Sequence, residues 1–243
     1  MPEHVLIILT GAFSGGFVLG LTGFGNGLTA YGLWLHVLSP QVGAPLVAIS
    51  SIVGHLLMFR GLRHAIVPAR FLPFVIGGLL GIPAGTWLLT TVSVSTFKIS
   101  AGALLAGYSA ISLVGGLRLK LQRENRILDG GVGLLGGVFG GLASLSGPIV
   151  TVWCGLKGWS KDEQRGTYQP FNFAILSAAL VAFGTAGLLT RELLWLALLT
   201  LPATLAGIWI GRHLYGRVDD AQFQKIVLTL LTVSGVVLVG SNL

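Results

Sequence analysis

The chain has 243 residues, 53% of them hydrophobic and only 9% charged, with a formal net charge of +7. An ordinary soluble domain carries about 25% charged residues, so this chain could not cover a globule with polar surface and reads as an integral membrane protein. The basic excess would suggest nucleic acid in a soluble protein, but here the basic residues flank apolar stretches, so orientation in a lipid membrane explains them and no nucleic-acid partner is expected.

The N-terminal Met1-Pro2-Glu3-His4 has no basic region or small-residue cleavage site and is not read as a removable signal peptide. The first element, residues 5–36, is too long for one span and is interrupted centrally by glycine, Ser and Thr. Apolar spans follow at about 42–59, 71–89 and 99–117. Each approaches the ~20 residues that a helix needs to cross ~30 Å of hydrocarbon. A basic connector, 118–126, leads to a second interrupted segment, 127–156, and to spans at about 168–188, 193–211 and 224–241. Sustained apolar-polar alternation is lacking, which argues against a β-barrel. The expected fold class is an all-α integral membrane protein. The lone Cys154 lies in an apolar run, can form no internal disulfide, and reads as a small buried hydrophobe.

The halves 1–117 and 127–243 look like copies. Ala84-Gly85-Thr86-Trp87 returns as Ala206-Gly207-Ile208-Trp209, Phe97-Lys98-Ile99 returns loosely as Phe223-Gln224-Lys225-Ile226, and Gly16, Gly20 and Leu21 match Gly137, Gly141 and Leu142. These landmarks keep their order, as duplicated membrane proteins do. Two arrangements compete for the interrupted segments. If each is a span plus a loop, the chain has eight spans and its basic residues divide eight against seven. If each is a re-entrant hairpin, only Lys98 and Arg191 leave the basic side, and the division is thirteen against two. The positive-inside rule favours the second. It gives two hairpins and six full spans, both termini outside the cytoplasm, and two repeats inverted relative to each other.

Hairpin arms of about 13 to 15 residues would rise roughly 20 Å and bring both tips near mid-membrane. Broken backbone at that depth is tolerated only inside protein or along a polar cavity, so the tips are the expected binding site. The first reads Leu21-Thr22-Gly23-Phe24-Gly25-Asn26-Gly27-Leu28-Thr29, with glycines for a sharp break and Thr22, Asn26 and Thr29 as hydrogen-bond donors. The second reads Leu142-Ala143-Ser144-Leu145-Ser146-Gly147-Pro148. Both resemble helix starts, where unpaired N–H groups and a partial positive charge favour a small anion. The competing account is that the glycines only allow close helix packing. Ser50, Ser51, Gln169 and Asn172 on the following spans are candidates for the same cavity, although Ser in membrane helices often bonds the preceding turn.

Asp, Glu, Lys and Arg are absent from the expected mid-membrane segments, so a carboxylate relay or carboxylate-based sodium site has no candidate. His55 is the one histidine inside a full span. It either tilts toward the nearby interface or takes a coupling or gating role, and coupling to a proton or sodium ion stays open.

The motif Gly23-Phe24-Gly25-Asn26-Gly27, following a glycine-spaced apolar helix and repeated in degenerate form, resembles the GxGGG signature of the TauE/SafE sulfite exporter family. Chain length, duplicated halves and the basic connector fit as well, so the resemblance covers nearly the whole chain. Gly23, Gly25 and Gly27 are its direct matches, Asn26 stands where the motif has glycine, and the second copy departs from it. The resemblance implies a bacterial inner-membrane carrier of sulfite, sulfonates or related small anions.

The leading expectation is therefore a secondary transporter of a small sulfur-containing oxyanion, working by alternating access around the two tips, with no cofactor or metal. A passive anion channel is the alternative. An intramembrane hydrolase would need Ser144 or Ser146 as nucleophile and His55 or His213 as base, but no Gly-x-Ser-Gly motif surrounds either serine. There is no GxxxxGK[ST] motif, so ATP-driven transport by this chain alone is not expected.

Overall fold

The structure is a computed structural model that describes residues 2–34, 37–91 and 125–240, with isolated positions between 93 and 110. Apart from those isolated positions, the expected span at 99–117 and connector residues 118–124 lie outside the described residues. The elements, all helical, are α1 (Pro2–Thr22), α2 (Asn26–Trp34), α3 (Pro40–Leu62), α4 (Pro68–Thr91), α5 (Arg126–Ala143), α6 (Gly147–Leu156), α7 (Lys161–Thr185), α8 (Arg191–Tyr215) and α9 (Asp220–Gly240).

Among the described residues, five helical stretches are long and apolar enough to cross a membrane: His4–Thr22, Pro40–Phe59, Pro68–Leu89, Arg126–Ala143 and Arg191–Tyr215. The chain is a multi-pass membrane protein. Helix α7, which holds the expected span 168–188, is not among the five. Its N-terminal half carries Lys161, Asp162, Glu163, Gln164, Arg165, Gln169 and Asn172, most of them buried against neighbouring helices. A capping box starts it: Ser160 accepts from the Glu163 backbone while its own N–H donates back to the Glu163 carboxylate, which holds that carboxyl below its usual range.

Both interrupted segments fold back on themselves. Helix α2 returns along α1, with Asn26 against Gly15 and Trp34 Nε1 donating to Ile8 O at 2.9 Å. Helix α6 returns along α5, with Ser146 against Gly136 and Gly140, and with Trp153 and Lys157 reaching Asp129 at the far end. The arms differ from the expected 13 to 15 residues: the leading arms have 21 and 18, the returning arms 9 and 10. Each break falls late because the apolar helical run continues until a residue takes a positive φ, Gly23 (φ 81°) and Gly25 (φ 82°) in the first, Ser144 (φ 56°) in the second.

Glycine seams then join the two halves. A Cβ at Gly16, Gly20, Gly207 or Gly211 would collide with Thr204, Ile208, Phe13 or Phe17 backbone oxygens, so α1 and α8 run parallel with their backbones in contact. Helices α4 and α5 repeat this pattern, with Gly137, Gly141, Gly81 and Gly85 against Gly78, Ile82, Leu134 and Val138. Small residues permit such approach in membranes, where dispersion and close packing must replace the hydrophobic drive. The contacts pair Gly81 with Gly207 and Gly85 with Gly211, which corrects the register suggested by Ala84-Gly85 and Ala206-Gly207 by one helical turn. A four-residue slip leaves the same face forward, so a short sequence match does not detect it.

Contacts also fix direction. Helix α3 runs with α8, and so with α1, as Gly54 lies against Ile208 while Gly61 lies against Arg212, and runs opposite to α7, as Phe59 packs edge-on against Phe173 while Ala65 lies against Gly166. The positions of Arg60, Arg63, Arg70, Arg126, Lys157, Lys161, Arg165, Arg212, Arg217 and Lys225 consequently fall at one end of the bundle. Arg191, at the start of α8, falls at the other.

Candidate functional site

The two hairpin tips meet. A Cβ at Gly27 would sit 2.9 Å from Leu145 Cδ2, and one at Gly147 would sit 3.0 Å from Phe24 Cβ. Between them lies a cavity walled by residues 24–28, residues 144–148, and Leu19, Ser51, His55, Asn172 and Leu176. Among the described residues, no Asp, Glu, Lys or Arg lines it. The space open to the centre of a water-sized sphere is about 20 Å³, enough for about one water.

Its polar groups come from four helices. Asn26 Nδ2 donates to Ser50 Oγ at 2.8 Å and to Ser51 Oγ at 2.9 Å, which ties the start of α2 to the middle of α3. Asn26 Oδ1 has no partner. Ser146 Oγ donates to Asn172 Oδ1 at 2.9 Å, fixing the amide orientation that leaves Nδ2 beside Gly147. First-turn N–H groups have no intrahelical acceptor, and those of Asn26, Gly27 and Leu28 in α2 and of Gly147 in α6 belong to residues that line the cavity, whereas Pro148 carries none. Two helix N-termini, a hydroxyl on each side and a carboxamide therefore converge in a space free of carboxylates, an environment suited to an anion.

The expected site residues separate into two sets. Gly25, Asn26, Gly27, Ser51, Ser144, Ser146, Gly147 and Asn172 line the cavity. Thr22, Gly23, Thr29 and Gln169 do not. The Thr22 hydroxyl bonds Val18 O and Phe24 O, and the Thr29 hydroxyl bonds Gly25 O. Both serve the local backbone because a Thr hydroxyl reaches the preceding turn more easily than a distant partner. Gly23 faces Arg165, Tyr168 and Gln169. The Ser144 hydroxyl, although at the wall, donates to Ala44 O at 2.8 Å. His55 is 1% exposed and stands at the cavity wall with Nδ1 unpartnered, so it does not tilt to the interface.

Several participants escaped the sequence. Tyr168 donates to Thr22 O and Tyr31 donates to Ala143 O at 2.8 Å, so each tip's last helical carbonyl is held by a tyrosine from the opposite half. Arg165, expected at the basic rim, is 2% exposed, and its Nη2 donates to Gly20 O at 3.0 Å. Asp129 is also buried, paired with Lys157 at 2.7 Å. Their sequence signal is a charge within one turn or so of an apolar span, which is indistinguishable from a solvated rim charge. Cys154 is a buried free thiol packed in the core, as expected.

Compared with known families, residues 7–238 match the sequence profile described as Sulfite exporter TauE/SafE. The chain belongs to the TauE/SafE sulfite exporter family. This family comprises membrane transporters rather than enzymes. No curated protein and no solved structure shows significant similarity to this member.

Proposed function

We propose that the protein carries sulfite, a sulfonate or a related small oxyanion across the bacterial inner membrane by alternating access about two inverted, re-entrant hairpins. The observation that carries this is the shared tip cavity, with two helix N-termini and, among the described residues, no carboxylate on its wall. The cavity has room for about one water, less than an anion of several heavy atoms occupies, so the tips part to admit it. That favours a carrier over an open channel. The antiparallel course of α3 and α7, together with the repeated glycine seams, supports the inverted relation of the halves.

The end rich in Lys and Arg is cytoplasmic by the positive-inside rule, which leaves residue 2 and residue 240 on the periplasmic side. His55, at the wall but apart from the tips, tunes transport and is the candidate for any proton coupling; sodium coupling is the other option. Single cysteines at Gln41 and Ser160, in a Cys154→Ala background, are expected to react with impermeant reagents from opposite sides of intact cells. Reaction of both from the same side excludes the inverted hairpins.

The substrate class is tested by thermal unfolding of purified protein in detergent. Sulfite, sulfate, thiosulfate or a short sulfonate, at a hundredfold excess over its dissociation constant, is expected to stabilise the fold by about 2.7 kcal/mol. Ammonium and choline are expected to have no effect. Stabilisation by a cation with none by any oxyanion reverses the substrate class.

A further inference from the structure

At the basic end of the bundle a second cavity, of about 350 Å³, opens between α3, α7 and α8. Its floor is the guanidinium of Arg165, which lies directly behind the first hairpin tip. Arg165 is held by neutral groups: Gly20 O at 3.0 Å, Leu21 O at 3.4 Å, the Tyr215 ring at 4.0 Å, and Gln169, whose amide oxygen accepts at 3.1 Å once the amide is oriented to suit. Among the described residues no carboxylate lies within ion-pair distance of it; Asp162 acts on it only from farther off, behind Tyr215. A buried cation without a counter-ion is costly unless something of opposite charge completes it.

The walls add to the imbalance. Arg212 is exposed and has no hydrogen-bond or ion-pair partner among the described residues. Lys161 donates to Val218 O, and its ammonium lies 4.9 Å from the Tyr215 ring. The single carboxylate, Asp162, accepts from the Tyr215 hydroxyl and lies 3.7 Å from His64 Nε2. Among the described residues, Arg165 and Arg212 therefore face one lining carboxylate that is already engaged.

We propose that this vestibule is a second anion-binding site, which takes one oxyanion between Arg165 and Arg212 at the basic mouth before or after passage through the tips. It deepens the carrier proposal and rests on it for the identity of the anion. Met58 shares the vestibule wall and lies one turn along α3 from His55, so the two cavities are consecutive stations on one path. The division of labour suits two arginines: the N–H groups of Arg165 are engaged by Gly20 O, Leu21 O and Gln169, which fixes its permanent charge at the vestibule floor, and the exposed fork of Arg212 supplies the N–H donors to an oxyanion.

The test is calorimetric titration of sulfite into purified wild type, Asn26→Ala, Arg212→Ala and the double variant, at two ionic strengths. Arg212 is solvent-exposed, so its replacement is expected to leave the ligand-free melting temperature unchanged. Asn26→Ala is expected to retain a sulfite-binding event that weakens steeply with ionic strength, and adding Arg212→Ala is expected to weaken that event at least about tenfold. If Asn26→Ala binds no sulfite, or if Arg212→Ala leaves the retained event unchanged, the vestibule site is wrong while the tip site stands. If Asn26→Ala matches wild type and binding disappears with Arg212→Ala, the vestibule site stands and the tip site fails.

Discussion

Gly137→Ala is expected to cost more than a typical core substitution and Gly137→Leu to abolish recovery of folded, monodisperse protein, whereas Gly131→Ala on the same helix is expected to stabilise it. A Cβ at Gly137 would overlap the carbonyl of Gly78, a backbone group that can yield only if α4 and α5 separate. Overpacking of a tight site costs typically about 1–3 kcal/mol, and more where backbone must move. Gly131 has nothing within 4 Å of the added atom, so there alanine gains about 0.5–1 kcal/mol of helix propensity. Thermal unfolding and size-exclusion of the two variants, purified in parallel, decide the matter. Equal melting temperatures for Gly131→Ala and Gly137→Ala rule out the seam as a determinant of the fold.

Asn26→Ala and Ser146→Ala are each expected to weaken oxyanion binding by roughly 5-fold to 150-fold, equivalent to about 1 to 3 kcal/mol for one lost polar contact in a desolvated site. The routes differ. Asn26 holds the hydroxyls of Ser50 and Ser51, and its removal frees them to return to their own helix. Ser146 orients Asn172, and without that bond the amide loses its set direction. Gly25→Val is expected to be worse than either, because Gly25 has φ 82° and the new Cβ would press on Val18 Cγ1 at 3.0 Å. Titration with sulfite, paired with transport in proteoliposomes, measures all three. Full retention of affinity and flux by Asn26→Ala and Ser146→Ala, with loss of both in His55→Gln, would move the site away from the tips.

The local character of the chain was legible in its residues. Glycine followed by a good helix start marks a break, so both tips were placed within a few residues of where the helices stop and restart. Low charge and long apolar runs dictated membrane helices, since each backbone N–H and C=O must be satisfied within its own segment in hydrocarbon. Of the basic residues expected at one end, the ten described fall there and Arg191 falls at the other, while Lys98, Arg118, Lys120 and Arg123 lie outside the described residues.

Tertiary structure decided the rest, because the remaining choices were degenerate in sequence. Glycine stripes on α1, α4, α5 and α8 are alike, and any two could have packed; only the assembled bundle sets α1 on α8 and α4 on α5, crossing between halves. The hydroxyls of Thr22 and Thr29 looked as available as those of Ser51 and Ser146. Which of them faces a cavity depends on whether a neighbouring helix supplies a better acceptor than the preceding turn. Arg165 read as one more rim charge. Its burial requires the exposed carbonyls at the end of α1 and the face of Tyr215 to arrive from helices far away in sequence, and hydropathy along a single chain cannot report a solvation shell that other helices provide.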